Sequence, residues 1–220
     1  MVTATNQLSS LEEVRGLARR RLLTAEDLAS LPEDGNRYEI IGGQLIVSPS
    51  PAYRHQRVSM KLGNALDTYL TSTGVGEAVA APMDVRLSAN DVVQPDLLVV
   101  LNERSDLIQN RGVFGAPDLV IEIVSPSSIE TDFLRKSKLY ERFGVREYWI
   151  VNPESETVSV QTLDGDRYVI AGEFGRNDTL KSAVLDGFTL ELASVFPDRT
   201  DNSAESAQTT EKETQPTNDE

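Results

Sequence analysis

Two short segments, Pro95-Asp96-Leu-Leu-Val-Val-Leu101 and Asp118-Leu-Val-Ile-Glu122-Ile-Val124, constrain this chain more than any other feature. Strand alternation sets Val120, Glu122 and Val124 on one face and Leu119, Ile121 and Ile123 on the other. Strands apolar on both faces belong in the interior of a sheet covered on both sides. With 220 residues, one compact α/β-sized domain is the expected architecture.

Each segment also carries a carboxylate that breaks its own pattern. An isolated ionised Glu122 between two buried faces would cost several kcal/mol or turn neutral, so it calls for a cation partner or a metal. The plainer alternative is an edge-strand carboxylate held by a salt bridge. In the segment that follows, Ile129, Phe133, Lys136, Tyr140 and Phe143 recur at spacings of four and three, one face of an α-helix. Lys136 thus lies in an apolar seam, where its stem could snorkel to water, or where it could face Glu122 directly. Arg135, Lys138 and Arg142 form a basic strip on another face, read as a nucleic-acid contact or as a solvated surface.

Distance selects the second acid. Asp118 lies four residues from Glu122 on the same strand, ~13 Å away at ~3.3 Å per residue, too far to share one cation. Asp96, on a separate strand, can share it. Two carboxylates and a lysine suit metal-assisted hydrolysis of a phosphodiester: the acids hold Mg²⁺ or Mn²⁺, and the ammonium orients water or offsets developing charge. The chain has no cysteine and a single histidine, so thiolate zinc sites, cysteine nucleophiles and multi-histidine sites are excluded and metal chemistry must rest on carboxylates.

Punctuation along the chain is clear. Leu11 to Arg20 reads as a frayed helix, and Thr24-Ala-Glu-Asp27 as a capped helix start. Gly42-Gly43 reads as a hairpin turn between Arg37–Ile41 and Gln44–Ser48. Ser50-Pro51 reads as the start of a long helix bearing Val58, Leu62, Ala65, Leu66 and Tyr69. Strands are expected at 77–81, 83–87, 96–101, 118–124, 147–151, 157–162 and 167–171, with a helix over 129–143 ending at Gly144. No apolar run approaches the ~20 residues of a membrane span, so a cytoplasmic protein with no membrane partner is expected. The tail from 198 to 220 lacks large apolar side chains and is expected to be disordered. It holds seven acids and two bases, so −5 of the formal −14 lies there.

Several motifs, in order, resemble one family: Leu23-Thr-Ala-Glu-Asp, Arg37-Tyr-Glu-Ile-Ile-Gly-Gly-Gln-Leu, Ser48-Pro with His55, Gln94-Pro-Asp96, Leu119-Val-Ile-Glu122-Ile-Val-Ser-Pro, Asp132 with Lys136 and Tyr140, and Gly144-Val-Arg-Glu-Tyr-Trp-Ile-Val-Asn-Pro153. Together they resemble the Uma family of restriction-endonuclease-like proteins, in the PD-(D/E)xK nuclease superfamily. The resemblance implies an α/β (α+β) fold with a mixed central β-sheet flanked by helices and an N-terminal helical and hairpin extension. The implied boundaries are 1–22 for the extension, 23–197 for the nuclease-like domain and 198–220 for the tail.

The implied function is a divalent-metal-dependent endonuclease acting on nucleic acid, DNA foremost, as a homodimer. The alternative is a catalytically weak or inactive nucleic-acid-binding or assembly module on the same fold. The resemblance further implies Asp96 and Glu122 as metal ligands, Lys136 as the catalytic lysine, Glu39 as a contributing acid, and Asp132, Tyr140 and His55 as supporting residues. The superfamily lysine usually follows the second acid by two residues; Val124 stands there, and Lys136 takes the role from the next helix. Two alternatives stay open: Glu39 as an exposed hairpin glutamate, and His55 as a helix-end histidine bonding backbone.

Overall fold

The computed structural model describes residues 11–19, 21–32, 34–124 and 131–196, and the side chains at 11 and 131–133 stand outside that description. The tail, the first ten residues and the Asp132 side chain therefore lie outside the described residues.

The described residues open with two short helices, α1 (Leu11–Ala18) and α2 (Ala25–Leu28). At the start of α2 the Asp27 carboxylate accepts the Thr24 backbone N–H at 2.7 Å, the reach-back half of the expected capping box. Strands β1 (Arg37–Ile41) and β2 (Gln44–Ser48) form the expected hairpin. Both turn glycines take positive φ, +58° and +75°, as a two-residue turn of this kind requires.

Helix α3 (Tyr53–Thr73) differs from expectation at its start. Ala52 is the N-cap, so Ser50 lies two residues ahead of the capping position, and its hydroxyl donates to the Gly35 carbonyl. From there His55, Val58, Leu62, Leu66 and Leu70 are buried at helical spacing. Helix α4 (Thr131–Phe143) ends at Gly144, which takes φ +79°.

The remaining strands are β3 (Gly76–Ala80), β4 (Val85–Ser88), β5 (Asp91–Val93), β6 (Leu97–Leu101), β7 (Ile108–Gln109), β8 (Gly112–Phe114), β9 (Leu119–Ile123), β10 (Glu147–Asn152), β11 (Thr157–Asp164), β12 (Arg167–Gly175), β13 (Thr179–Lys181) and β14 (Thr189–Glu191). The central sheet has the order β12-β11-β10-β9-β6-β3. It is mixed, because β9 and β10 run parallel while β6 and β9 run antiparallel. The two doubly apolar segments are its interior strands β6 and β9, as their composition demands.

A second mixed sheet, β2-β1-β5-β4-β8-β7, was not foreseen. It absorbs the hairpin, which is therefore a structural part of the body rather than an extension from it. Its short strands β5, β7 and β8 carry too few residues to show an alternation of their own.

The two faces of the central sheet bury different partners. One face sets Leu97, Val99, Leu119 and Ile121 against α3 residues Val58, Leu62 and Leu66. The other sets Leu98, Val100, Val120 and Tyr148 with Leu139 and Tyr140 of α4 and with Ile41, Val85 and Val113 of the second sheet. Among the described residues no helix is long and apolar enough to cross a membrane.

Candidate active site

The register of β6 against β9 pairs Leu97 with Ile121 and Leu98 with Val120. Continued by one step, it sets Asp96 against Glu122, where opposed residues of an antiparallel pair bring their Cβ atoms within ~5 Å. Both acids are buried, 3 % and 4 % exposed. The Asp96 carboxylate also accepts the Ile123 backbone N–H at 2.7 Å, which locks the two strand ends together.

Three other elements close on this pair. From α4, the Lys136 ammonium donates to Glu122 Oε1 at 2.9 Å, and the Tyr140 hydroxyl donates to the same oxygen at 2.7 Å. From β1, Glu39 meets the Lys136 ammonium at 2.8 Å and accepts the Gln94 N–H at 2.8 Å. Glu39 is 1 % exposed, so the alternative of an exposed hairpin glutamate is excluded. From the first turn of α3, His55 Nε2 lies 3.2 Å from Asp96 Oδ2, and so it bonds a side chain rather than backbone.

The structure thus brings together Asp96, Glu122, Lys136, Glu39, Tyr140 and His55. It keeps the basic strip apart from them: Arg135 donates to Gln44, Arg142 pairs with Asp91 at 2.9 Å, and both line, with Lys138, a cavity of about 340 Å³ beside the hairpin turn. One residue escaped the sequence reading. The Arg37 guanidinium donates to Asp96 Oδ1 at 2.8 Å and to the Gln94 carbonyl at 3.2 Å. Its signal was its place at the head of the Arg37-Tyr-Glu39 motif, two residues from Glu39 and hence on the same strand face.

Burial and charge divide the acids. Burial alone would raise the Asp96 carboxyl, but the His55 ring, the Arg37 guanidinium and the Ile123 N–H outweigh it and hold the group at about 2. Burial pushes Glu122 up; Lys136 opposes this, Asp96 and Glu39 add to it, and the group settles at about 7. Burial disfavours the Lys136 charge, yet Glu122 and Glu39 more than compensate and raise its pKa above the ordinary lysine value.

The donor set suits a hard divalent cation. Three carboxylates face two side-chain cations, Arg37 and Lys136, which leaves a surplus negative charge that a proton on Glu122 or a metal would neutralise. Among the described residues no group of three or more His, Cys, Asp or Glu side chains has metal-holding geometry. Two carboxylates, with water and phosphate completing the coordination shell, are a common donor set for Mg²⁺.

Asp96 is reached from outside through a cavity of about 310 Å³ lined by Arg37, Ser50, His55, Gln56 and Gln94. His55 Nδ1 is buried and has no hydrogen-bond partner among the described residues.

A family model described as Uma2, "Putative restriction endonuclease", matches residues 25–193. Among solved structures the chain is similar to a "putative nuclease belonging to DUF820" from Anabaena variabilis, with a TM-score of 0.66, 19% identity, and coverage of 79% of this chain and 97% of that one. No curated protein matches the chain.

Proposed function

The chain belongs to that Uma2 family, and from this membership we propose that it is a divalent-metal-dependent endonuclease hydrolysing phosphodiester bonds, with DNA as the substrate. The observation that carries the reading is the meeting of Asp96, Glu122 and Lys136 in one buried cluster with surplus negative charge. When bound by Asp96 and Glu122, Mg²⁺ or Mn²⁺ would supply a water of lowered pKa and screen the phosphate.

The chain's own groups do the rest. Tyr140 fixes Glu122 Oε1 through its hydroxyl, and Glu39 and Glu122 both hold the Lys136 ammonium. Lys136 is the cation placed to orient the attacking water or offset charge on the phosphorane-like transition state. Arg37 and the Ile123 N–H keep Asp96 ionised and pointed inward.

Incubating supercoiled plasmid with Mg²⁺ or Mn²⁺ tests the proposal, with Glu122→Gln prepared in parallel. Metal-dependent nicking by the wild type that disappears in the variant is the expected result. Equal nicking by both proteins, or none on DNA or RNA, counts against it.

A second reading is a binding or assembly module on the same fold. Both Asp96 oxygens already have protein partners, and the chain's charge of −14 disfavours bulk attraction to a polyanion. Calorimetry separates the two: only the enzyme reading requires divalent-ion heat that vanishes in Asp96→Asn.

A further inference from the structure

We propose that the nucleic-acid strand entering the site runs along a polar cleft across the second sheet, from the Asp96 opening to Arg86 and Arg111. This rests on the endonuclease reading and adds the path of the substrate to it.

Two cavities form the cleft. The opening at Asp96 and a second cavity of about 440 Å³ share two wall residues, Asn36 and Gln94, so they adjoin. The second cavity is lined further on by Asp84, Arg86 and Arg111. In sheet order these residues step from β1 past β5 to β4 and the β7–β8 turn. Three strand spacings of ~4.8 Å make the crossing ~14 Å, about four base steps along a duplex axis at ~3.4 Å each.

The chemistry of the far end suits phosphate. Arg111 is exposed and has no ion-pair partner among the described residues. Arg86 lies with its guanidinium 5.2 Å from the Phe114 ring centroid, and its Nε is buried without a hydrogen-bond acceptor among the described residues. Exposed Glu26 is close enough for its charge to feel Arg86. Among the described residues Asp84 is the one carboxylate lining this end, and it is engaged by the Gln94 amide at 2.8 Å. Gln94 thus stands at the junction: its side chain binds Asp84, and its carbonyl accepts from the Arg37 that holds Asp96. The α4 strip is a weaker path because Arg142 there is already paired with Asp91. Two arginines at its far end give an acidic protein a local contact for a polyanionic substrate.

The test measures binding of a labelled DNA oligonucleotide, single-stranded and duplex, to the full chain in EDTA, where cleavage cannot occur. Arg111→Gln should weaken binding several-fold and lower the slope of log affinity against log salt by about 1, the loss of one phosphate contact. Arg111→Glu should weaken it roughly tenfold or more. Arg86→Lys, which keeps a cation on the interior strand β4, should give a smaller loss. Lys181→Glu, an exposed reversal on β13, is the control for overall charge.

Wild-type affinity and slope in both Arg111 variants would overturn the inference, as would losses confined to charge reversals at Arg135 and Lys138. So would failure of the wild type to bind either oligonucleotide. Binding that depends on Arg111 without any metal-dependent cutting would sink the endonuclease reading and leave the cleft standing. Cutting with a KM indifferent to Arg111 would do the reverse.

Discussion

Lys136 Nζ and Glu39 Oε1 meet at 2.8 Å, and this contact ties helix α4 on the central sheet to strand β1 of the second sheet. The same ammonium reaches Glu122, so one cation serves two buried acids that belong to different sheets. Removing it would strand both.

Lys136→Met should therefore cost stability as well as activity. Breaking a buried pair by deleting one partner costs ~3–5 kcal/mol because the remaining charge is uncompensated. Urea unfolding should show a loss in that range, and adding Glu39→Gln to Lys136→Met should recover part of it through a coupling of ~1–3 kcal/mol. Strict additivity in that cycle would mean the two side chains do not interact in solution.

The pH dependence of stability follows from the two opposed shifts. Glu122, raised from 4.5 to about 7, contributes stability that is fully present below 4.5 and lost as pH rises through about 7. Asp96, lowered from 3.8 to about 2, contributes stability present above 3.8 and lost as pH falls through about 2. Metal-free protein should be most stable in mildly acidic solution. Glu122→Gln should flatten the decline toward neutral pH without touching the acid limb. Unfolding free energies across the pH range check this, and an unchanged neutral limb in Glu122→Gln would refute it.

Tyr140→Phe removes the hydroxyl that donates to Glu122 Oε1 while keeping the ring packed against Tyr148 at 5.1 Å between centroids. The expected cost is ~1–2 kcal/mol in stability and a roughly tenfold fall in Mn²⁺ affinity, the usual scale for losing a bond to a ligand. Titration calorimetry reads the affinity directly. Unaltered Mn²⁺ binding would show that Tyr140 serves packing alone.

Asp118 offers a contrast within the same strand region. It is fully buried and accepts from Arg104, Arg146 and the Leu101 N–H, at the end of β9 remote from Glu122. Asp118→Asn should destabilise the fold by ~2–3 kcal/mol and leave nicking per folded molecule unchanged. A parallel loss of both would extend the active cluster well beyond its apparent limits.

How much of this was legible depended on range along the chain. The clash between charge and apolar pattern marked Asp96, Glu122 and Lys136, since each broke a local periodicity that a reader can count. The pairing of Lys136 with Glu122 followed because helix and strand are consecutive. Arg37 and the burial of Glu39 had no such local signal: a charged residue in a five-residue hairpin strand looks solvent-facing until a second sheet covers it. That sheet was missed because β5, β7 and β8 are two or three residues long. Ser50 illustrates the same limit, because its hydroxyl donates to Gly35 across a loop and it lies two residues ahead of the capping position.

Strand β1 carries Arg37, Glu39 and Ile41 on one face, reaching Asp96, Lys136 and the shared apolar core in turn, while Tyr38 and Ile40 face the other way. Inserting or deleting one residue upstream of the turn would swap those faces, sending a tyrosine toward the acids and a glutamate into an apolar cluster. Point substitutions in this strand can be graded in their effect, but a change of its length cannot. Across relatives, gaps should fall in the loops around β1 and never inside it.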